Sequence, residues 1–269
     1  MAKTIFITGA SSGIGKAAAV LFAQRGWNVI ATMRNPECAE GLSLDHITIL
    51  PLDVTNAEQI TKTVSEVTYK THIDVVLNNA GYGLIGCFET CTETQLQDII
   101  NTNLLGVLRV TQAFIPNFRT NGDGLFISTT SIGGLTTFPF FSVYHATKWA
   151  IEGWSESVAY ELKRLGIRVK TVSPGTTNTE FARSIVGSTL LPEYEGTFNH
   201  CLGEFTNPEA MKQHATPEEI AEVIYEAATD GKEQLRYIAG SEAIEIYDQR
   251  QNLGVEKFRN VIEEKFLGN

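Results

Sequence analysis

Three side chains in this sequence have types and spacing that could move a proton. Tyr144 and Lys148 lie four residues apart, and Ser131 stands thirteen residues before the tyrosine. A phenol is a poor acid–base group near neutrality, because its ordinary pKa is about 10. An ammonium one helical turn away favours the phenolate and would pull that pKa down. A hydroxyl such as that of Ser131 would hold a substrate oxygen beside the phenol. The spacing alone proves little, since any amphipathic helix can carry such a pair. Its meaning depends on what the rest of the chain places around it.

The elements that must position these residues can be read from periodicity. Short apolar runs at 4–8, 28–32, 46–50, 74–77, 125–129, 168–173 and 235–239 read as strands. Helical spacing recurs at 14–25, 56–69, 93–117, 142–165, 217–229 and 256–266, with Thr55 or Asn56 as a candidate cap for the second of these. Residues 178–215 show no clear period and read as an irregular, lid-like segment. Strands alternating with helices predict an α/β fold, a parallel sheet of about seven strands with helices on both faces. No linker or repeat divides the chain, so one domain over residues 1–269 is expected.

Residues 8–15 read TGASSGIG, after a strand and before a helix. In that setting Gly9 permits a tight turn, Gly13 a close backbone approach and Gly15 close packing of the helix. The helix start at Ile14 offers free N–H groups and a positive dipole end to a pyrophosphate. A structural turn without a ligand is the competing reading. At the end of the second strand, Thr32, Met33 and Arg34 supply no carboxylate to bind ribose hydroxyls. Arg34 can instead pair with a 2′-phosphate, with Ser11 and Ser12 as hydroxyl donors, which favours NADP(H) over NAD. A plain surface arginine is the alternative.

Composition narrows the partners. The 269 residues carry a net charge of −10, which argues against nucleic acid or an anionic membrane as a general partner. No apolar stretch approaches a membrane span, so no membrane anchor is expected, and the first residues read as a strand rather than a signal peptide. The cysteines at 38, 87, 91 and 201 lack the spacing of a zinc site and read as reduced thiols of a cytoplasmic protein. Cys87 and Cys91 would share a helix face only if 88–90 were helical.

TGASSGIG at 8–15, LDVT at 52–55, NNAG at 78–81, Asn103 in TNLLG, Ser131, YHATK at 144–148 and PGTTNT at 174–179 occur in one order. Together they resemble the short-chain dehydrogenase/reductase family of single-domain type. The resemblance implies a doubly wound Rossmann fold and a role for each residue. Asp53 and Val54 would contact adenine, and Asn79, Ala80 and Gly81 would support the sheet and border the adenosine ribose. Tyr144 would be the acid in carbonyl reduction and the base in alcohol oxidation. Lys148 would bind the nicotinamide ribose and lower the pKa of Tyr144. Ser131 would orient the substrate oxygen, and Asn103 would hold a water in a proton relay through Lys148. Pro174, Gly175, Thr177 and Thr179 would border the nicotinamide. Plainer readings stand beside these: Asp53 as a turn former, Ser131 as an ordinary strand-end serine, Asn103 as an ordinary helix residue. His145 points about 100° away from Tyr144 on a helix, which favours a structural or surface role.

Two apolar segments would shape the substrate end: TFPFFSV at 137–143, and 180–215 with Phe181, Leu190, Leu191, Tyr194, Phe198 and Phe205. They favour a hydrophobic carbonyl or alcohol as the small-molecule substrate. The stretches NNAGYGLIGCFE and GLTTFPFFSVYHATK resemble the steroid- and retinoid-acting subgroup of the family. The alternative function is a non-catalytic dinucleotide-binding redox sensor or scaffold. A reductase of carrier-bound thioesters would favour a basic docking patch, for which the acidic composition gives no support. The helices at about 93–117 and 142–165 resemble those that form homodimer or homotetramer contacts in the family.

Overall fold

Strand β1 (Thr4–Thr8) shows how the sheet is made, because successive side chains enter opposite cores. Ile5 and Ile7 join one buried cluster and Phe6 joins the other. Such a strand is apolar throughout because both of its faces are covered. The computed structural model describes residues 2–178 and 185–268. Within them a seven-stranded parallel sheet has the order β3-β2-β1-β4-β6-β7-β9. Its remaining strands are β2 (Asn28–Met33), β3 (Ile47–Pro51), β4 (Val75–Asn78), β6 (Gly124–Thr129), β7 (Ile167–Pro174) and β9 (Arg236–Ala239). Strands β5 (Leu84–Ile85) and β8 (Val186–Gly187) form a separate two-residue parallel ladder. The doubly wound Rossmann architecture expected from the sequence is therefore present. The strand order reverses between β1 and β4, which opens a crevice beyond their carboxyl ends.

Helices α1 (Gly13–Gln24) and α8 (Pro217–Thr229) cover one face, where Ala18, Phe22, Ile220 and Ile224 are buried. Helices α2 (Ala57–Lys70), α4 (Gly106–Asn121) and α5 (Ser142–Leu162) cover the other. There a file of rings runs from Phe6 to Phe114, Phe118 and Phe126, with centroids 4.9, 6.1 and 4.8 Å apart. Burying each such ring contributes about 1.5–3 kcal/mol. Gly124 makes room for it, since a Cβ there would stand 2.2 Å from the Phe118 ring. Asn56 caps α2 by accepting the Gln59 N–H at 2.9 Å. Thr216 and Glu219 form a capping box on α8, with Pro217 in its first turn.

Three expectations need correction. The helix read at 93–117 is two helices, α3 (Glu93–Ile100) and α4, joined by a π turn at Asn101–Leu105. The cause is non-local: the Asn103 side chain is bound to the backbone of Tyr82, and Gly106 lies against Val54. The helix also runs past Pro116 and ends only at Gly122, in the left-handed conformation at φ 68°. Second, the segment read as irregular contains α6 (Pro192–Thr206) and α7 (Pro208–Gln213), each opened by a proline in its first turn. Third, α9 (Ser241–Leu253) escapes periodicity because only Ala243 is buried in it. Helix α10 (Val255–Leu267) follows and packs against α6. The stretch Phe88–Thr90 is a 3₁₀ turn, and Cys87, Cys91 and Cys201 are free thiols.

Candidate active site

One cleft of about 1440 Å³ lies along the carboxyl edge of the sheet and brings together most of the residues singled out by sequence. At one end the glycine turn after β1 meets the NNAG turn after β4. Gly9 and Gly13 have φ of 67° and 53°. A Cβ on Gly9 would stand 2.7 Å from Ala80 Cα, and one on Gly15 would stand 2.3 Å from the Gly9 carbonyl oxygen and 2.5 Å from Asn79 Nδ2. Gly15 thus serves the turn itself as well as helix packing. Asn79 Nδ2 donates to the carbonyls of Thr8 (3.2 Å) and Gly9 (3.1 Å). Thr8 Oγ1 in return accepts the N–H groups of Asn79 and Ala80. Threonine 8 was not among the residues read as functional, yet it ties the two turns together.

The donor set at this end fits a phosphate-bearing nucleotide. Helix α1 starts at Gly13, and its N-cap Ser12 makes no side-chain capping bond. The first N–H groups therefore keep their positive field for an anion. Ser11, Ser12, Gly13, Ile14 and Arg34 line the cleft. Arg34 is exposed, and among the described residues no carboxylate forms an ion pair with it. Asp53 and Val54 line the same stretch. Asp53 also shapes its own turn, accepting the Thr55 N–H at 2.8 Å and the Thr55 hydroxyl at 2.7 Å. Both readings of Asp53 are thus compatible with its position.

Helix α5 carries Tyr144 and Lys148 into the middle of the cleft, opposite the end of β6. Beyond that strand, Ser131 opens a 3₁₀ turn at Ile132–Gly134, and its Oγ accepts the Gly133 N–H at 3.0 Å. The Ser131 side chain lies close enough to the Tyr144 phenol to favour its ionised form. Lys148 is 7 % exposed; its Nζ donates to the Thr129 carbonyl at 3.0 Å and lies 5.7 Å from the Tyr144 ring centroid. The expected lowering of the tyrosine pKa by this lysine is not found. Burial pushes the phenol up to about 12, against a smaller downward pull from the Ser131 side chain. Burial likewise pushes Lys148 down to about 8, opposed by the charge of Glu152. Desolvation disfavours both charged forms, and the ammonium spends its hydrogen bond on a strand carbonyl. The phenol is therefore protonated at neutral pH, the form that can donate.

Asn103 is buried at the π turn. Its Oδ1 accepts the Tyr82 N–H at 3.0 Å, and its Nδ2 donates to the Tyr82 carbonyl at 2.8 Å. Gly81 lets it approach: a Cβ there would stand 3.1 Å from Asn103 Oδ1 and 3.9 Å from Lys148 Nζ. Pro174, Gly175 and Thr177 border the cleft where β7 ends. Thr179 and Phe181 lie outside the described residues.

The far end of the cleft is apolar. Phe138, Phe141, Phe198, Leu202 and Phe205 line it, with Met211 and His214 nearby. Phe138, Phe205 and Phe266 meet one another in edge and tilted contacts at 4.9–5.5 Å, so α10 backs this wall. His145 is structural and buried rather than on the surface: it stacks on Phe141, its Nδ1 accepts the Phe138 N–H at 3.4 Å, and burial pushes its pKa down to about 4. Tyr194 turns away from the cleft and donates to Glu89 at 2.6 Å. Residues 194, 198, 201 and 205 do fall at helical spacing, the signal that would have revealed α6.

Comparison with known proteins agrees with this geometry. The family model described as short chain dehydrogenase matches residues 3–188. An uncharacterized oxidoreductase of Schizosaccharomyces pombe is 40% identical over 215 residues, covering 79% of this chain and 90% of that protein. The 17-beta-hydroxysteroid dehydrogenase type 1 of Homo sapiens is 34% identical over 258 residues, covering 88% and 77%. Among solved structures, a short-chain dehydrogenase from Streptomyces avermitilis superposes with a TM-score of 0.85 at 31% identity, covering 98% of this chain and 96% of that one. ElxO with NADP bound superposes at 0.73 with 28% identity, covering 88% and 98%. The chain belongs to the short-chain dehydrogenase family.

Proposed function

We propose that this member of the short-chain dehydrogenase family is an NADP(H)-dependent oxidoreductase that interconverts a carbonyl and an alcohol, reducing a hydrophobic aldehyde or ketone. One observation carries the reading: a single cleft joins the glycine turn and Arg34 to the Ser131–Tyr144 hydroxyl pair and then to an aromatic wall. Gly9, Ser11, Ser12, Gly13, Ile14 and Gly15 would cradle the pyrophosphate, and Arg34 would take the 2′-phosphate. The NADP-bound relative supports that choice. Asp53 and Val54 would face adenine, Asn79, Ala80 and Gly81 its ribose, and Lys148 the nicotinamide ribose. Pro174, Gly175, Thr177 and Thr179 would flank the nicotinamide.

When bound, the nicotinamide supplies the hydride. Tyr144 Oη donates its proton to the carbonyl oxygen as charge grows there, and Ser131 Oγ donates a second hydrogen bond to the same oxygen. In alcohol oxidation the Tyr144 phenolate accepts that proton. Lys148 and a water held near Asn103 would return a proton to the phenolate after reduction and carry it away after oxidation. Phe138, Phe141, Phe198 and Phe205 would cover the substrate and exclude water. The steroid-acting relative supports an apolar substrate. The same reading sets the enzyme in the cytoplasm as a homodimer or homotetramer.

Nucleotide absorbance, followed while retinal, steroid ketones, aromatic ketones and small polar aldehydes are offered with NADPH, tests this. Turnover of the apolar carbonyls is expected; activity confined to sugars or small polar aldehydes would refute the substrate class. Tyr144→Phe is expected to lose about 10³-fold in turnover while still binding NADPH. Near-normal turnover in that variant would overturn the role of the tyrosine. NADPH binding with no turnover of any carbonyl would favour the redox-sensor reading.

A further inference from the structure

Tyr144 and Lys148 begin a series on one face of α5 that continues, four residues at a time, to Glu152 and Glu156. Glu152 is 3 % exposed, and a buried carboxylate costs several kcal/mol unless it is fully paired. Here it is paired on both oxygens. Oε1 accepts from Thr130 Oγ1 at 2.5 Å and Ser173 Oγ at 2.9 Å. Oε2 accepts from Thr171 Oγ1 at 3.2 Å and Arg236 Nε at 2.9 Å. Thr130 directly precedes Ser131, and Ser173 directly precedes Pro174. Gly134 lets the Ser131 turn close on this point, since a Cβ there would stand 3.0 Å from the Lys148 carbonyl oxygen and 3.2 Å from Glu152 Cγ.

From this juxtaposition we infer that Glu152, anchored by Arg236, is a positioning residue for Ser131 and Lys148. The inference rests on the proposed proton-handling role of that trio. The carboxylate ties α5 to the ends of β6, β7 and β9 at once, so Ser131 cannot drift from Tyr144 without breaking hydrogen bonds in a buried site. It also acts electrostatically, because its charge opposes the desolvation that weakens the Lys148 ammonium. The charged and titratable groups around it are few. Helix α5 supplies Tyr144, Lys148 and Glu156, and β9 supplies Arg236, whose Nη2 donates to Glu156 at 2.6 Å. The residues that β6 and β7 turn to it are hydroxyls, and Glu242 of α9 accepts the Thr176 N–H instead.

The test is a titration of the lysine ammonium groups by ¹⁵N NMR in nucleotide-free protein, with Lys148 assigned by its loss in Lys148→Met. Glu152→Gln is expected to titrate Lys148 about one pH unit lower. The alkaline limb of kcat/KM for carbonyl reduction should move the same way. Arg236→Gln, which keeps the carboxylate and removes the opposing cation, is expected to move the Lys148 titration upward. Folded Glu152→Gln with an unmoved Lys148 titration overturns the inference. If that variant does not fold, Arg236→Gln decides: an upward shift supports the inference and an unmoved titration overturns it. A wild-type protein without NADPH-dependent turnover refutes the proposed function separately, while the NMR titration still shows whether Glu152 sets the state of Lys148.

Discussion

The two ends of the cleft are held by different forces. At the nucleotide end, Gly9, Gly15, Thr8 and Asn79 form a mesh of backbone contacts and directional hydrogen bonds with no space for an added methyl group. At the substrate end, Phe138, Phe141, His145, Phe205 and Phe266 touch ring to ring at 4.9–5.8 Å, with one long side-chain hydrogen bond, from the Phe138 N–H to His145 Nδ1, among them. The first arrangement has one solution. The second fills space, and apolar packing tolerates changes of shape at modest cost. A family can thus keep one end constant while the other adapts to different molecules.

The largest expected effect comes from breaking the rigid end. Gly15→Ala forces a Cβ into the Gly9 carbonyl and should cost about 3 kcal/mol, read by denaturant unfolding. An undiminished midpoint would show that this turn has more slack than its contacts imply. The next effect tests the aromatic end with acid. His145 has a folded pKa of about 4 against 6.5 when unfolded, so between these values the unfolded chain holds the proton and the folded chain does not. The stability present above pH 6.5 is therefore lost as pH falls toward 4. Between pH 6.5 and 4.5 His145 should contribute a loss of about 2–3 kcal/mol. A His145→Phe variant should lose correspondingly less over that interval, and equal losses in both proteins would sink the idea.

Smaller effects separate the two ends by function. Arg34→Ala should raise the KM for NADPH by about 10- to 100-fold and leave that for NADH unchanged, as expected for a charge-assisted bond of about 2 kcal/mol. Equal use of both nucleotides by the wild type would remove the basis for this contrast. Phe205→Leu should raise the KM for an apolar carbonyl about fivefold, near 1 kcal/mol, with the KM for NADPH unmoved. A change in nucleotide KM alone would mean that the ring serves the wrong end of the cleft.

The same division explains what could be read from the sequence. TGASSGIG, the seven strands and the Tyr144–Lys148 pair were legible because each has a local cause: a turn geometry, a short apolar run, a helical repeat. The cap on α2 and the start of α8 were legible for the same reason. The π turn was not, because its cause is the Tyr82 backbone 21 residues away from Asn103. Glu152 was missed although it continues the four-residue series, since its partners come from three strands distant in sequence. The upward push on the Tyr144 pKa is not legible either, because spacing reveals a neighbouring charge and says nothing of how much water is removed around both groups.

The π turn at Asn101–Leu105 has a consequence at the level of codons. A hydrogen bond from residue i+5 encloses one residue more than the α-helical bond from i+4. The helix thus carries one surplus residue at the point where Asn103 reaches Tyr82. An in-frame loss of Leu104 would remove that surplus residue and is expected to let α3 and α4 join as one regular helix. It would also swing position 103 away from Tyr82 and undo the contact beside Lys148. The contact between Asn103 and the Tyr82 backbone therefore hangs on a single triplet.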